Sequence, residues 1–297
     1  MPADSTPRSW GPVASVALVI TWSSGFVGAE LGARAGAAPI TLLGWRFSLL
    51  ALGLAGLWLV LRKPMPTWSA WRRQALLATL CQFGYLIFLF EGISHGVSGG
   101  TTALIAALQP LLVATAAGPV LGEHPTGAMW LGMVIGLVGV GIVVSGDLNT
   151  SHIAPATFLL PAMGMLSLAV GTVLTRRLHP PEDLLESISM QAVVTAILFL
   201  VVATMTGQVA VPADPGFWAA VVWLLVLASL GGYVMYVFVT RTEGPTVVST
   251  LLYLTPPTAM LWIWLMFGRP ITPVAVLGLA VSAVGVVLVL RGRRAAA

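Results

Sequence analysis

Glu30, Arg46 and Glu91 stand inside apolar runs, and His95 follows Glu91 by one helical turn. A charge in such surroundings needs an opposite charge, a wet cavity or a charged ligand. Two chemistries fit the four residues. One is a structural ion pair that pins the Arg46 segment to a neighbour; the other is a charged cluster that touches a substrate or controls a gate. In either case Arg46 is expected to pair with Glu91 or Glu30. Glu30, Glu91 and His95 are also the groups through which proton exchange could run, whereas uniport or substrate exchange needs none of them.

A second set is polar or aromatic: Trp22, Ser24, Gln82, Tyr85, Gln109, Tyr233 and Tyr253. Aromatic walls with a few hydrogen-bonding groups suit an amphipathic metabolite or an amino acid. For each single residue, hydrogen bonding between helices or packing is the alternative. Gln109-Pro110 and Thr255-Pro256-Pro257 interrupt two apolar runs. Proline removes a donor and frees carbonyls, so Pro110, Pro256 and Pro257 mark hinges or static kinks.

Enzyme chemistry finds little support. The four histidines, His95, His124, His152 and His179, fall in loops or at run ends. No His-Glu-x-x-His, no phosphate-binding glycine loop followed by lysine and no Ser–His pairing can be placed. The single cysteine, Cys81, excludes an internal disulfide and a cysteine-based metal site. No cofactor and no metal are expected, and ATP drive would need a nucleotide site that the sequence lacks. An intramembrane enzyme would need clustered nucleophiles, bases or ligands.

The elements that hold these residues must be membrane helices. The chain is 58% hydrophobic and 8% charged, against roughly 25% charged in an average soluble domain. Mean hydropathy is +0.96 and the pI is near 9.8. The basic residues sit in short loops, so they report topology and not a nucleic-acid partner. Ten continuously apolar runs fall near 11–31, 39–61, 74–95, 97–119, 127–146, 155–176, 185–206, 216–240, 245–267 and 273–291. Each approaches the roughly 20 residues that cross a bilayer as a helix. The first run is expected to be retained, because no small-residue cleavage site follows it.

With the N-terminus in the cytoplasm, eleven Lys and Arg residues face inward, while Arg34 and Arg269 alone face outward. That bias puts both termini inside. Leu131-Gly132 recurs as Leu277-Gly278, and Val138-Gly139-Val140 as Val284-Gly285-Val286, each at an offset of 146. A repeat of five helices enters the membrane from the opposite side in its second copy, which is the inverted arrangement of many secondary transporters. The expected fold is an all-α membrane protein: ten transmembrane helices as two inverted five-helix repeats, residues 1–147 and 148–297. Gly132, Gly136, Gly139, Gly278, Ser282 and Gly285 form small faces that let helices approach closely, within one chain or between two copies in a homodimer.

Five motifs, in order, resemble the EamA-domain branch of the drug/metabolite transporter superfamily. They are Thr21-Trp22-Ser23-Ser24-Gly25-Phe26, Gly44-Trp45-Arg46-Phe47, Ala103 to Pro110, Leu121-Gly122-Glu123, and the twice-repeated Leu-Gly…Val-Gly-Val. The resemblance covers essentially the whole chain. It implies two inverted five-helix halves in a bacterial cytoplasmic membrane and the export or exchange of small metabolites such as amino acids or amphipathic amines. Nucleotide-sugar carriers are more distant members of the superfamily. One departure stands out: Gly122-Glu123 in the first repeat corresponds to Gly268-Arg269 in the second. The two helix ends therefore differ in charge.

Overall fold

The computed structural model describes residues 10–109, 112–113, 126–151, 153–210, 212–243, 248 and 251–296. Among these residues every regular element is helical and no strand occurs. In chain order they are α1 (Trp10–Arg34), α2 (Pro39–Val60), α3 (Trp68–Ser94), α4 (Gly99–Ala106) and α5 (Gly127–Ser151). Then come α6 (Leu159–Leu178), α7 (Leu184–Met205), α8 (Pro215–Trp223 continued by Leu224–Gly231 and Gly232–Thr242), α9 (Thr255–Phe267) and α10 (Pro273–Ala296). Seven of them, α1 to α3 and α5 to α8, are long and apolar enough to cross a membrane.

Local chemistry sets the boundaries. Pro39 and Pro215 open α2 and α8, where the missing N–H costs nothing. The Thr67 hydroxyl accepts from the Ala70 N–H at 3.3 Å to cap α3, and Ser98 caps α4 through the Thr101 N–H at 3.1 Å. Asp183 and Glu186 form a reciprocal capping box at the start of α7. Gly36, Gly96, Gly207 and Gly268 end α1, α3, α7 and α9 with positive φ, a conformation glycine adopts without a Cβ penalty. All four lie at the end of the bundle opposite the Lys- and Arg-rich loops.

Helix α3 starts at Trp68, six residues before the expected 74. Its first turns hold Trp68, Arg72 and Arg73, so a hydropathy reading misses them. Pro110 lies outside the described residues. Pro256 and Pro257 occupy the first turn of α9, next to Leu254 at its cap. The described helix begins at these prolines and does not bend around them. Upstream, Tyr253-Leu254 form a turn between helical segments, as do Ala107-Leu108 after α4. The two breaks are 146 residues apart.

A second distortion recurs at the same offset. Within α3, Thr79–Gly84 widens to a π-helix, and within α8 so does Leu224–Gly231. Lipid cannot satisfy a backbone group that loses its helical partner, and protein hydroxyls do so here. Ser167 of α6 donates to the Leu80 carbonyl at 2.8 Å, and Ser229 donates to the Leu224 carbonyl at 3.1 Å. Thr21 of α1, which lies 146 residues before Ser167, packs against Gly231.

Packing joins one repeat to the other. Helix α1 lies against α8, and its counterpart α6 lies against α3; α2 packs on α7, α4 on α9 and α5 on α10. The α5–α10 seam is backbone on backbone. A Cβ on Gly278 would stand 2.5 Å from the Gly139 carbonyl oxygen, and one on Gly285 2.5 Å from that of Gly132. Residue 139 corresponds to 285 and 132 to 278, so the two contacts map onto one another, as they do in an isologous interface. The small faces anticipated for close approach are therefore used within this chain. The largest core cluster, with Leu43, Phe47, Leu89, Phe199, Phe217 and Leu224, fills the space between α2, α3, α7 and α8.

The seam yields a stability test. Gly285→Val must push backbone against backbone and is expected to cost about 1–3 kcal/mol, the usual range for overpacking. Thermal unfolding in detergent should show a clear fall in Tm. Gly141→Val, at a site with nothing within 4 Å of the added Cβ, should leave Tm nearly unchanged.

Candidate functional site

Arg46 reaches from α2 to the π segment of α8. Its Nε donates to Ser229 Oγ at 3.0 Å, inside the α8 π segment. The phenol of Tyr85, the first residue after the α3 π segment, lies within electrostatic range of the guanidinium. The guanidinium carbon also stands 5.0 Å from the Phe47 ring centroid. Only 8% of the residue is exposed. The expected pairing with Glu91 or Glu30 does not occur. Glu30, 2% exposed, binds Arg34 at 3.3 Å and Arg269 at 3.0 Å. Glu91 is one turn from His95 on α3 and meets its ring at 3.6 Å. The reason is rotational: similar depth along a helix axis does not place side chains on facing sides.

The Glu30 pair has a cross-repeat character that the sequence hid. Arg269, the residue that departs from the Gly-Glu pattern, reaches from the α9–α10 connection to α1. Arg34 lies 4.4 Å above the Phe267 ring at the end of α9. Beside this cluster a cavity of about 720 Å³ opens, bordered by His95, Thr101, Asp147, Arg269 and Thr272. Thr101 donates to Asp147 at 2.6 Å there.

At the opposite, basic end the repeats are joined by a second set of charges. Lys63 binds Asp183 and, at 3.2 Å, Glu186; Arg73 binds Glu182. The hydrogen bonds to Asp183 and Glu186 raise the Lys63 ammonium above its ordinary pKa. The Lys63 hydrogen bond holds Asp183 below its own. Burial pushes Glu182 up, but bonds from Arg73 and Gln74 outweigh it and leave its pKa lowered. Depressed carboxylates stabilise above their unfolded pKa and raised amines below theirs. This junction therefore persists across neutral pH and is lost in strong acid or strong base.

From that end a chain of side-chain amides runs into the bundle. Gln74 donates to Glu182 at 3.0 Å, and Gln191 donates to Gln74 at 2.7 Å. Gln82 donates to Gln191 at 2.8 Å and accepts from Thr195 at 3.1 Å. Gln82 lies in the α3 π segment, so the chain ends there, three residues before Tyr85. Sequence reasoning named Gln82 but missed Gln74, Gln191 and Thr195, whose spacing along α3 and α7 could have shown one shared face.

The other expected wall residues fall into small groups. Trp22, 36% exposed, stacks on Tyr236 at 5.6 Å, and Tyr233 lies 6.4 Å from the same ring. Ser24 is buried and spends its hydroxyl on the Thr21 carbonyl at 2.6 Å. Gln109 donates to Thr172 of α6 at 2.9 Å. Tyr253 and Pro256 line a separate apolar cavity of about 240 Å³ with Leu104 and Leu108. Tyr85 neighbours Arg46, whereas Tyr233 packs toward Tyr236. No cluster of three or more His, Cys, Asp or Glu residues suited to a metal occurs among the described residues.

The paired distortions and the cross-repeat packing belong to a duplicated chain, and comparison agrees. The model of the EamA-like transporter family matches residues 9–145 and again residues 156–291. The chain belongs to the EamA-like transporter family. A probable terminal-alkyne amino-acid exporter of Streptantibioticus cattleyicolor is 26% identical over 292 residues, 95% of this chain and 94% of that protein. A probable amino-acid metabolite efflux pump of Salmonella typhimurium is 25% identical over 185 residues, which span 61% of this chain and 59% of that pump. The inner membrane transporter YedA of Escherichia coli K12 is 24% identical, with 93% and 89% covered. A solved structure described as the crystal structure of a protein covers 97% of this chain and 99% of its own, at 20% identity and a TM-score of 0.65. That likeness concerns the fold. An EamA-like chain with seven described helices long and apolar enough to cross a membrane is a multi-pass membrane protein of a transporter family.

The amide chain makes a second prediction. Gln82→Leu strands the Gln191 carbonyl oxygen and the Thr195 hydroxyl, at about 1–3 kcal/mol for an unsatisfied buried group. The double variant Gln82→Leu/Gln191→Leu should cost less than the sum of the two singles. Tm values from a double-mutant cycle in detergent check the coupling; strict additivity would show that the chain does not act as a unit.

Proposed function

We propose that this protein is a secondary transporter that exports or exchanges small metabolites, amino acids foremost, by alternating access between two inverted five-helix repeats. Both termini then lie in the cytoplasm of a bacterial inner membrane, with the basic end of the bundle inside. One observation carries the reading: the π segments of α3 and α8, the breaks after α4 and before α9, and the α5–α10 glycine contacts all recur at the 146-residue offset. Equivalent adaptable segments in two repeats are what a carrier needs if exchanging the shapes of its halves is to turn an inward-open cavity outward. The names of the amino-acid efflux relatives support the substrate class.

The charges fit the same scheme. The Glu30–Arg269 and Arg34–Phe267 contacts join the repeats at the outer end, and Lys63–Asp183 and Arg73–Glu182 join them at the inner end. Alternation loosens one set while the other holds. Glu30, Glu91 and His95 remain the groups through which a proton could be coupled.

Topology is tested by cysteine accessibility in a Cys81→Ala background. Ala210→Cys in the α7–α8 connection should label in intact cells, and Met65→Cys in the α2–α3 connection only after permeabilisation. The reverse pattern contradicts the orientation. Transport is tested in proteoliposomes with a panel of amino acids and amphipathic amines, with and without a pH gradient. Saturable uptake with trans-stimulation by unlabelled substrate is expected. Flux without trans-stimulation would mean a channel, and the absence of flux for every member would remove the substrate class.

A further inference from the structure

We infer that Arg46 is the anchor for the substrate's carboxylate, so that the transported molecules are carboxylates and not amines alone. The inference rests on the exporter reading above and narrows it.

Glu30 is held by Arg34 and Arg269, Glu91 by His95, Glu182 by Arg73, and Asp183 and Glu186 by Lys63. Asp147 accepts from Thr101, and Asp214 caps α8. Glu243 is exposed at the end of α8. Asp4 and Glu123 lie outside the described residues. No described carboxylate stands within ion-pair distance of Arg46. The one described hydrogen bond of its guanidinium uses Nε, to Ser229. The two Nη groups remain, and they form the edge of a planar fork that matches a carboxylate in two parallel bonds.

A guanidinium keeps its proton, and a buried charge without a counter-ion is strongly unfavourable. A serine hydroxyl, a phenol and a phenyl ring solvate it without neutralising it. An anion that arrives and leaves completes the site, and in a carrier the anion is part of the cargo. The placement agrees. Arg46 stands on α2, bonded to one of the two repeat-equivalent π segments and beside the first residue after the other. Tyr85 and Ser229 orient the fork; a substrate that binds there touches the segments able to change their winding. The ammonium of an amino acid is not needed for this anchor, so the selectivity it imposes is carboxylate over amide or over a bare amine.

The test uses the full chain in proteoliposomes with L-leucine, L-leucinamide and 3-methylbutylamine, and with the corresponding phenylalanine set. The wild type should move each acid about tenfold or more faster than its amide and amine, the discrimination that loss of a charge-assisted bond produces. Arg46→Gln should erase this preference, and Arg46→Lys, which keeps the charge but not the fork, should retain part of it. A merely structural role lowers all rates together and leaves the preference intact. Should Arg46→Gln fail to fold, the wild-type comparison decides alone. Equal movement of acid and amide overturns the anchor while leaving the exporter reading in place, as does a folded Arg46→Gln protein with undiminished preference. Movement of none of the six compounds overturns the anchor and the amino-acid substrate class together.

Discussion

Lipid offers no hydrogen bonds, and the bundle is arranged around that fact. At both described π segments a serine hydroxyl, of Ser167 or of Ser229, takes up a backbone carbonyl that the distortion affects. Gln74, Gln191, Gln82 and Thr195 satisfy one another across α3 and α7. Thr41 reaches from α2 to the Gln208 carbonyl at 2.8 Å across the repeats. Polar atoms are therefore concentrated between the repeats, and the faces that carry Leu52, Leu59, Leu166 and Val284 are exposed and apolar, as a lipid-facing surface should be.

The same constraint explains why the two ends of the bundle differ. Where water is near, charges are inexpensive and join the repeats through several pairs at the basic end. At the other end Glu30 is buried, so it needs both Arg34 and Arg269. Replacing the glutamate of the Gly122-Glu123 motif by Arg269 in the second repeat is thus not a loose copy. It supplies the cation that a buried carboxylate on α1 requires.

Much of the architecture was legible because lipid imposes a strong pattern. Continuous apolar runs gave the helices, and Leu-Gly with Val-Gly-Val gave the repeat and the α5–α10 seam. The π segments left no such trace: one extra residue in a turn does not change the composition of an apolar run. Partners were harder than positions. Arg46 was rightly singled out as the costly charge, yet Ser229 as its partner depends on a π turn that rotates α8, and no spacing in the sequence reports that rotation. Glu30 and Arg269 are far apart in the chain and meet through the packing of one repeat on the other.

The central claim is that the halves exchange shapes around a fixed centre. The most direct measurement is a pair of spin-label distances in lipid nanodiscs, with and without a substrate found by the transport assay. One pair, at Ala37 and Ile271, spans the end that holds Glu30 and Arg269; the other, at Met65 and His179, spans the basic end. The account predicts changes of opposite sign, one distance lengthening as the other shortens. Two distances that lengthen together, or that both stay fixed while substrate is transported, would contradict it.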